Sequence, residues 1–171
     1  MKATSLLERQ HRKVESLFKQ LEGGRSEPAP ILAELANELA AHMAIEQERF
    51  YPAVRQIDED LILEGYEEHA IAELALKRLI STSPEDASFK ARVTTLKELI
   101  QHHVEEEEEE LFPKVEEAMD EDRLQELGEQ MRAEFEQRLS EGYEELLPAG
   151  YKKTSADRAS HAKRADAASP G

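Results

Sequence analysis

Apolar residues along this chain recur at three- and four-residue steps, and the alternation of β-branched and polar residues that marks strands is missing. Two stretches before residue 120 interrupt the helical period: Glu22-Gly23-Gly24-Arg25-Ser26-Glu27-Pro28-Ala29-Pro30 and Ser81-Thr82-Ser83-Pro84-Glu85-Asp86-Ala87-Ser88. The pattern predicts helices over about residues 3–22, 30–57, 59–81 and 88–119. A fifth amphipathic helix over about 121–139 carries Leu124, Leu127, Met131, Phe135 and Leu139 on one stripe. Asp58 or Asp60 is placed to cap the third helix, and Ser88 the fourth. Pro52 and Pro113 fall inside the second and fourth periods, where a kink is the expected cost. Short connections imply antiparallel neighbours. The predicted fold is all-α, an antiparallel up-down four-helix bundle with an appended fifth helix.

Beyond residue 140 the period is lost. From Ala149 to Gly171 five basic residues face two acidic ones, so this end is +3 while residues 1–148 carry −19, for a net charge of −16. The expected organisation is a helical body over 1–140 and a disordered basic tail over 141–171, with His161 in the tail and without a ligand role. Charged residues make up 35% of the chain and hydrophobic residues 39%, against an ordinary ~25% and ~45–50%. An acidic body of this kind opposes nucleic acid and anionic lipid. The apolar runs are too short to span a bilayer, and the start, Met1 to Arg9, reaches charge too early for a secretory core. The expectation is a soluble cytoplasmic protein. Cysteine is absent, which excludes disulfides, thiolate zinc sites, iron–sulfur clusters and cysteine nucleophiles. Histidine and carboxylate remain as metal donors.

Those donors lie in an internal repeat. His42-x3-Glu46 followed by Phe50-Tyr51-Pro52 aligns with His103-x3-Glu107 followed by Leu111-Phe112-Pro113, and both read H-x3-E-x5-P. The preceding helices match as well, since His11, Glu15, Phe18, Lys19 and Leu21 align with His69, Glu73, Leu76, Lys77 and Leu79 at a constant offset. His11 and His42 stand equally far from the first turn, and His69 and His103 nearly equally far from the second. At ~1.5 Å rise per residue, antiparallel helices bring all four to one level of the bundle. His11, His42 and His69 lie on apolar stripes. His103 shares a stripe with Leu96, Leu99, Ile100 and Leu111, whereas His102 lies with Glu98, Glu106 and Glu109 at the boundary; a one-residue change of register would exchange the two. A His and a Glu at i and i+4 lie one above the other on a helix.

A buried histidine with a hydrogen-bond partner is commoner than a ligand, and the run Glu105–Glu110 makes the spacing to Glu107 uninformative by itself. The repeat and the equal loop distances carry more weight. Four histidines and two carboxylates buried at one level without metal would cost ~1–3 kcal/mol for each unsatisfied group. The ferritin-like di-iron pattern needs Glu-x2-His on two helices, and only Glu8-x2-His11 fits it.

On these residues the chain resembles the hemerythrin-like family of HHE cation-binding domains, over residues 1 to about 135. The resemblance implies a carboxylate-bridged, non-haem di-iron site. His11 and His42 would serve one iron, His69 and His103 the other, with Glu46 and Glu107 as bridges. Its members bind O2, sense oxygen or redox state, handle iron, or respond to nitric oxide and peroxide. One departure stands out: where oxygen-carrying hemerythrins have His-x3-His on the third helix, this chain has Glu73 as the second residue. A carboxylate there favours higher-valent iron or manganese over simple oxygen carriage, with Glu73 and His102 as additional or substitute ligands. The expected function is a di-iron protein binding or sensing O2, nitric oxide or peroxide. The alternatives are a di-iron redox enzyme consuming peroxide or nitric oxide and a metal-free helical interaction module.

Overall fold

The computed structural model describes residues 1–24 and 27–147; residues 148–171, with His161, lie outside the described residues, as do Arg25 and Ser26. The start of the tail expected to be disordered from residue 141 is instead ordered, because Tyr143–Leu146 is helical and packs with Leu147 on the apolar core. Among the described residues the order is α1 (Ala3–Gly23), α2 (Pro28–Ile45), a π-turn π1 (Glu46–Phe50), α3 (Tyr51–Val54), α4 (Glu59–Ile80), α5 (Phe89–Glu106), a second π-turn π2 (Glu107–Leu111), α6 (Phe112–Ala118), α7 (Glu121–Glu141) and α8 (Tyr143–Leu146). Helices α2 to α3 and α5 to α6 each run on through their π-turn, so the body is four long helices plus α7. Around the bundle α1 packs on α2 and α5, and α4 packs on the same two. The predicted four-helix bundle with an appended helix is the observed fold. No helix among the described residues is long and apolar enough to cross a membrane.

Distortion at the two prolines takes the form of the π-turns. Proline lacks an N–H and crowds the carbonyl four residues earlier, so an unbroken α-helix cannot run through it. Here Tyr51 N–H donates to Glu46 O and Phe112 N–H to Glu107 O, widening one turn before Pro52 and Pro113 resume the helix near its start. Such single wide turns gather at functional sites. Both begin at the glutamate of an H-x3-E-x5-P motif. Asp58 caps α4 by accepting from Leu61 N–H at 3.2 Å. Ser88 precedes α5 without capping it, because its hydroxyl donates to Asp86 Oδ1 at 2.8 Å instead.

Two apolar clusters fill the body. One, with Leu17, Phe18, Leu35, Leu76 and Leu96, occupies the end nearest the α1–α2 and α4–α5 turns. The other, with Leu7, Ile45, Phe50, Ile62 and Phe112, occupies the opposite end and takes in Leu124, Leu127 and Met131 of α7. Helix α7 lies against α1 and α2. Gly128 permits that approach: a Cβ there would stand 2.2 Å from the Met1 carbonyl oxygen. Between the clusters lies a layer of buried polar side chains.

Candidate metal centre

His11 of α1, His42 of α2, His69 of α4 and His103 of α5 all turn inward, with Glu46 and Glu107 from the first positions of the π-turns. All six are at most 4% exposed. Each carboxylate stands between a histidine of one hairpin and a histidine of the other. Glu46 Oε2 lies 3.0 Å from His42 Nε2 and 3.3 Å from His69 Nε2. Glu107 reaches His11 Nε2 with Oε2 at 3.4 Å and His103 Nε2 with Oε1 at 3.7 Å. Two donor groups with mutual distances under 4.8 Å result, one of His11, His42, Glu46 and Glu107, the other of Glu46, His69 and His103.

The contacts are close yet poorly directed as hydrogen bonds. Both oxygens of Glu46, Oε2 of Glu107 and Nε2 of His11 are buried without a hydrogen-bond partner. Partnerless buried polar atoms are uncommon and costly, at ~1–3 kcal/mol each. Imidazole nitrogens and carboxylate oxygens converging with several of them left unpartnered match the donor set of a borderline metal ion. The residues present therefore fit a bound metal.

An outer ring holds the four imidazoles by Nδ1, leaving Nε2 to face inward. Gln10 of α1 accepts from His42 Nδ1 at 2.8 Å, and Glu68 of α4 accepts from His103 Nδ1 at 2.7 Å. Glu108 of π2 accepts from His11 Nδ1 at 2.7 Å. Gln47 of π1 meets His69 Nδ1 at 3.1 Å through its amide nitrogen. Each partner is the chain neighbour of an inner residue, and each serves the histidine on the next helix around the bundle. The sense is α1 to α2 to α4 to α5 and back to α1. One residue along a helix is a rotation of about 100°, so a neighbour of an inward residue faces the adjacent helix. None of these four is singled out by the motif. Their signal is a polar residue beside each donor.

Tyr51 is the other residue the spacing does not reveal. It is 1% exposed, and its hydroxyl donates to Glu107 Oε1 at 3.0 Å while lying 3.3 Å from His69 Nε2 and 3.4 Å from His103 Nε2. Its ring stacks on His69 and meets Tyr66 edge-on. Gly65 of α4 makes the room, since a Cβ there would stand 2.9 Å from the Tyr51 hydroxyl.

Electrostatics follow from burial and the carboxylates. Burial alone would lower the His11 pKa, but Glu107 and Glu108 overcome it and hold it up at about 9. The same opposition, burial against Glu107 and Glu68, holds His103 at about 9. His69 is lowered, mainly by burial. Glu46 is buried, which would raise it, yet His42 and His69 carry it well below the usual carboxylate range. Burial pushes the Tyr51 phenol well above its ordinary value, and Glu107 and Glu46 add to this.

Glu73 stands outside both inner donor groups; it is half-buried, raised by burial, and hydrogen-bonded to Gln47. His102 points outward with its side chain 63% exposed, beside Glu68 and Glu106. His103 is the inward member of that pair. A small apolar pocket walled by Val14, Leu39, Met43, Ile100 and Val104 opens directly onto the four imidazoles. A larger cleft of about 350 Å³ between α1 and α5 shares His11, Val14, Ile100 and Val104 with it.

Comparison with known proteins agrees with this geometry. The chain is 26% identical in sequence to a hemerythrin HHE cation-binding domain-containing protein from Mycobacterium kansasii of known crystal structure. The two superpose with a TM-score of 0.74 over 82% of this chain and 89% of the other. It is also 31% identical over 116 residues to a Nostoc protein named as a DNA nickase; the match takes in 66% of this chain and spans a third, 33%, of that relative's length. The family model for the hemerythrin HHE cation-binding domain matches residues 2–115, through α1 to most of α6. With two thirds of its length inside that match, the chain belongs to the hemerythrin HHE cation-binding domain family.

Proposed function

We propose that this protein is a non-haem di-iron protein that binds or senses O2, nitric oxide or peroxide. Carrying the reading is the convergence of four histidines and two carboxylates from all four helices, with His11, Glu46 and Glu107 holding partnerless buried donor atoms. His11 and His42 would hold one iron, His69 and His103 the other, and Glu46 and Glu107 would bridge them, since each carboxylate already faces a histidine of both pairs. A mixed imidazole–carboxylate set suits iron and also accepts manganese. When bound, iron supplies redox chemistry and affinity for diatomic or peroxidic ligands. The chain's own part is to place and polarise the donors. Gln10, Glu68 and Glu108 fix three imidazoles by Nδ1, and the two carboxylates among them strengthen His103 and His11 as donors. His69 differs: with the Gln47 amide nitrogen on Nδ1, its proton sits on Nε2, 3.0 Å from His103 Nε2. Freeing His69 Nε2 requires the Gln47 amide to turn over so that Oε1 accepts from Nδ1. Val14, Leu39, Met43, Ile100 and Val104 keep water from the site and leave room for a small apolar ligand.

Tyr51 favours the second reading, a redox enzyme consuming peroxide or nitric oxide. Its hydroxyl holds a proton within reach of Glu107, His69 and His103. Against a nucleic-acid role for the bundle stands the −19 charge over residues 1–148. Metal analysis with optical spectra of protein purified with and without air, then exposed to O2, nitric oxide or peroxide, tests the reading. About two irons per chain and a ligand-dependent spectrum are expected. A metal-free, spectrally silent protein would overturn it in favour of the interaction-module reading.

A further inference from the structure

We propose that Glu68, His102 and Glu106 form a separate surface site for a divalent cation, through which metal ions pass to the buried donors. The inference rests on the di-metal reading above. His102 Nε2 lies 3.6 Å from Glu68 Oε1 and 3.5 Å from Glu106 Oε1, so one imidazole and two carboxylates from α4 and α5 face one point. Their donor atoms all lie within 4.8 Å of one another. Imidazole with carboxylates is a donor set for Fe²⁺, Mn²⁺ or Zn²⁺, and the His102 side chain is 63% exposed, open to ions from solution.

A second, independent observation points inward from the same place. A narrow crevice has Glu68 and Glu106 at its outer end and Tyr51, His103 and Glu107 at its inner end. Glu107 is 3% exposed; its Oε1 accepts from Tyr51 beside His103, and its partnerless Oε2 faces His11 in the inner donor group. The crevice encloses only about 10 Å³, room for one water-sized body, so passage requires side chains to move. Glu68 joins the two sites directly, since Oε2 holds His103 Nδ1 while Oε1 faces His102. Charge favours the route. Glu64 and Glu110 stand near Glu68 and Glu106 and add to the negative potential at the mouth. The wider α1–α5 cleft also reaches His11, but Arg12, Lys19 and Lys97 stand among its carboxylates and disfavour a cation. Metal and small ligand would then use opposite faces of α5.

The test uses the full chain stripped of metal by a chelator, the double variant His102→Ala/Glu106→Gln, and a control, Glu105→Gln/Glu109→Gln. The control removes two carboxylates that line the α1–α5 cleft instead. Mn²⁺ titration followed by electron paramagnetic resonance reads the exposed site. Stopped-flow uptake of Fe²⁺ without air, closed by elemental analysis, reads the buried one. The unaltered protein should show a fast-exchanging Mn²⁺ site that the His102→Ala/Glu106→Gln variant lacks. That variant should also fill its buried site about tenfold more slowly or worse, yet to the same final content, while the control loads at the normal rate. Equal rates in the unaltered protein and the variant would overturn the route and leave the di-iron reading standing. So would equal slowing of the control, because general charge would then suffice. An unaltered protein that takes up no buried metal would overturn both, which separates the two failures.

Discussion

Gly65→Ala is a small change with a large expected consequence for the centre. The new Cβ would stand 2.9 Å from the Tyr51 hydroxyl oxygen and 3.1 Å from Cζ. Tyr51 has little room to retreat. Its ring is stacked on His69 with centroids 5.4 Å apart, met edge-on by Tyr66 at 5.2 Å, and bounded by Phe50 at 6.2 Å. Overpacking of this kind costs ~1–3 kcal/mol. Against it, alanine in a helix interior gains ~0.5–1 kcal/mol over glycine. A net loss of up to about 2.5 kcal/mol should lower the Tm by up to about 10 °C for a chain of this size. In a Tyr51→Phe background the hydroxyl contact is gone and only the ring contact to Cζ at 3.1 Å remains, so the same Gly65→Ala change should cost less. Thermal melts of the four proteins, metal-loaded and stripped, read the cycle. A Gly65→Ala protein that melts above the unaltered one would show that Tyr51 does not stand over α4 beside Glu107, and the reasoning would fail.

The metal-free protein should lose stability as pH rises through about 9, because His11 and His103 have folded pKa values raised to about 9; their contribution is complete below the ordinary ~6.5 and vanishes above the folded value. Metal must displace those protons, so uptake at pH 7.5 should release them, as calorimetry in buffers of different ionisation enthalpy would detect, and the loaded protein should not share the alkaline loss. Absence of proton release would mean these histidines are not ligands. Gln10→Leu removes the acceptor of His42 Nδ1 and should weaken metal affinity by about 10–100-fold in a chelator competition without unfolding the bundle; unchanged affinity would mean packing alone orients the ring. Glu73→Gln should leave metal content intact, since Glu73 meets Gln47 and neither inner donor group; loss of an ion would make it a ligand.

Much of the frame is legible in the sequence because the apolar period and the breaks are strong local signals. Helix limits expected at 59–81 and 121–139 are found at Glu59–Ile80 and Glu121–Glu141. The level of the four histidines follows from their distances to the turns, and His103 rather than His102 faces inward as its apolar stripe implies. Less legible is everything that depends on which neighbour a side chain meets. A proline within a helical period signals a distortion but not its form, and the π-turns at Glu46 and Glu107 appear only with backbone geometry. Ser88 could cap α5 by type, yet Asp86 competes for its hydroxyl. The ring of Gln10, Gln47, Glu68 and Glu108 is hidden among many polar residues, since only adjacency across helices distinguishes Glu108 from the rest of the glutamate run. Tyr51 reads as core, and its hydroxyl reaches the centre because α4 carries glycine at position 65.

Anomalous diffraction at the iron absorption edge, from crystals of protein loaded with iron, tests the central claim most directly. Two peaks should lie in the layer between the apolar clusters, one beside His11 and His42, the other beside His69 and His103, with Glu46 and Glu107 reaching both. No peak in that layer, or peaks confined to the surface around His102, would contradict it.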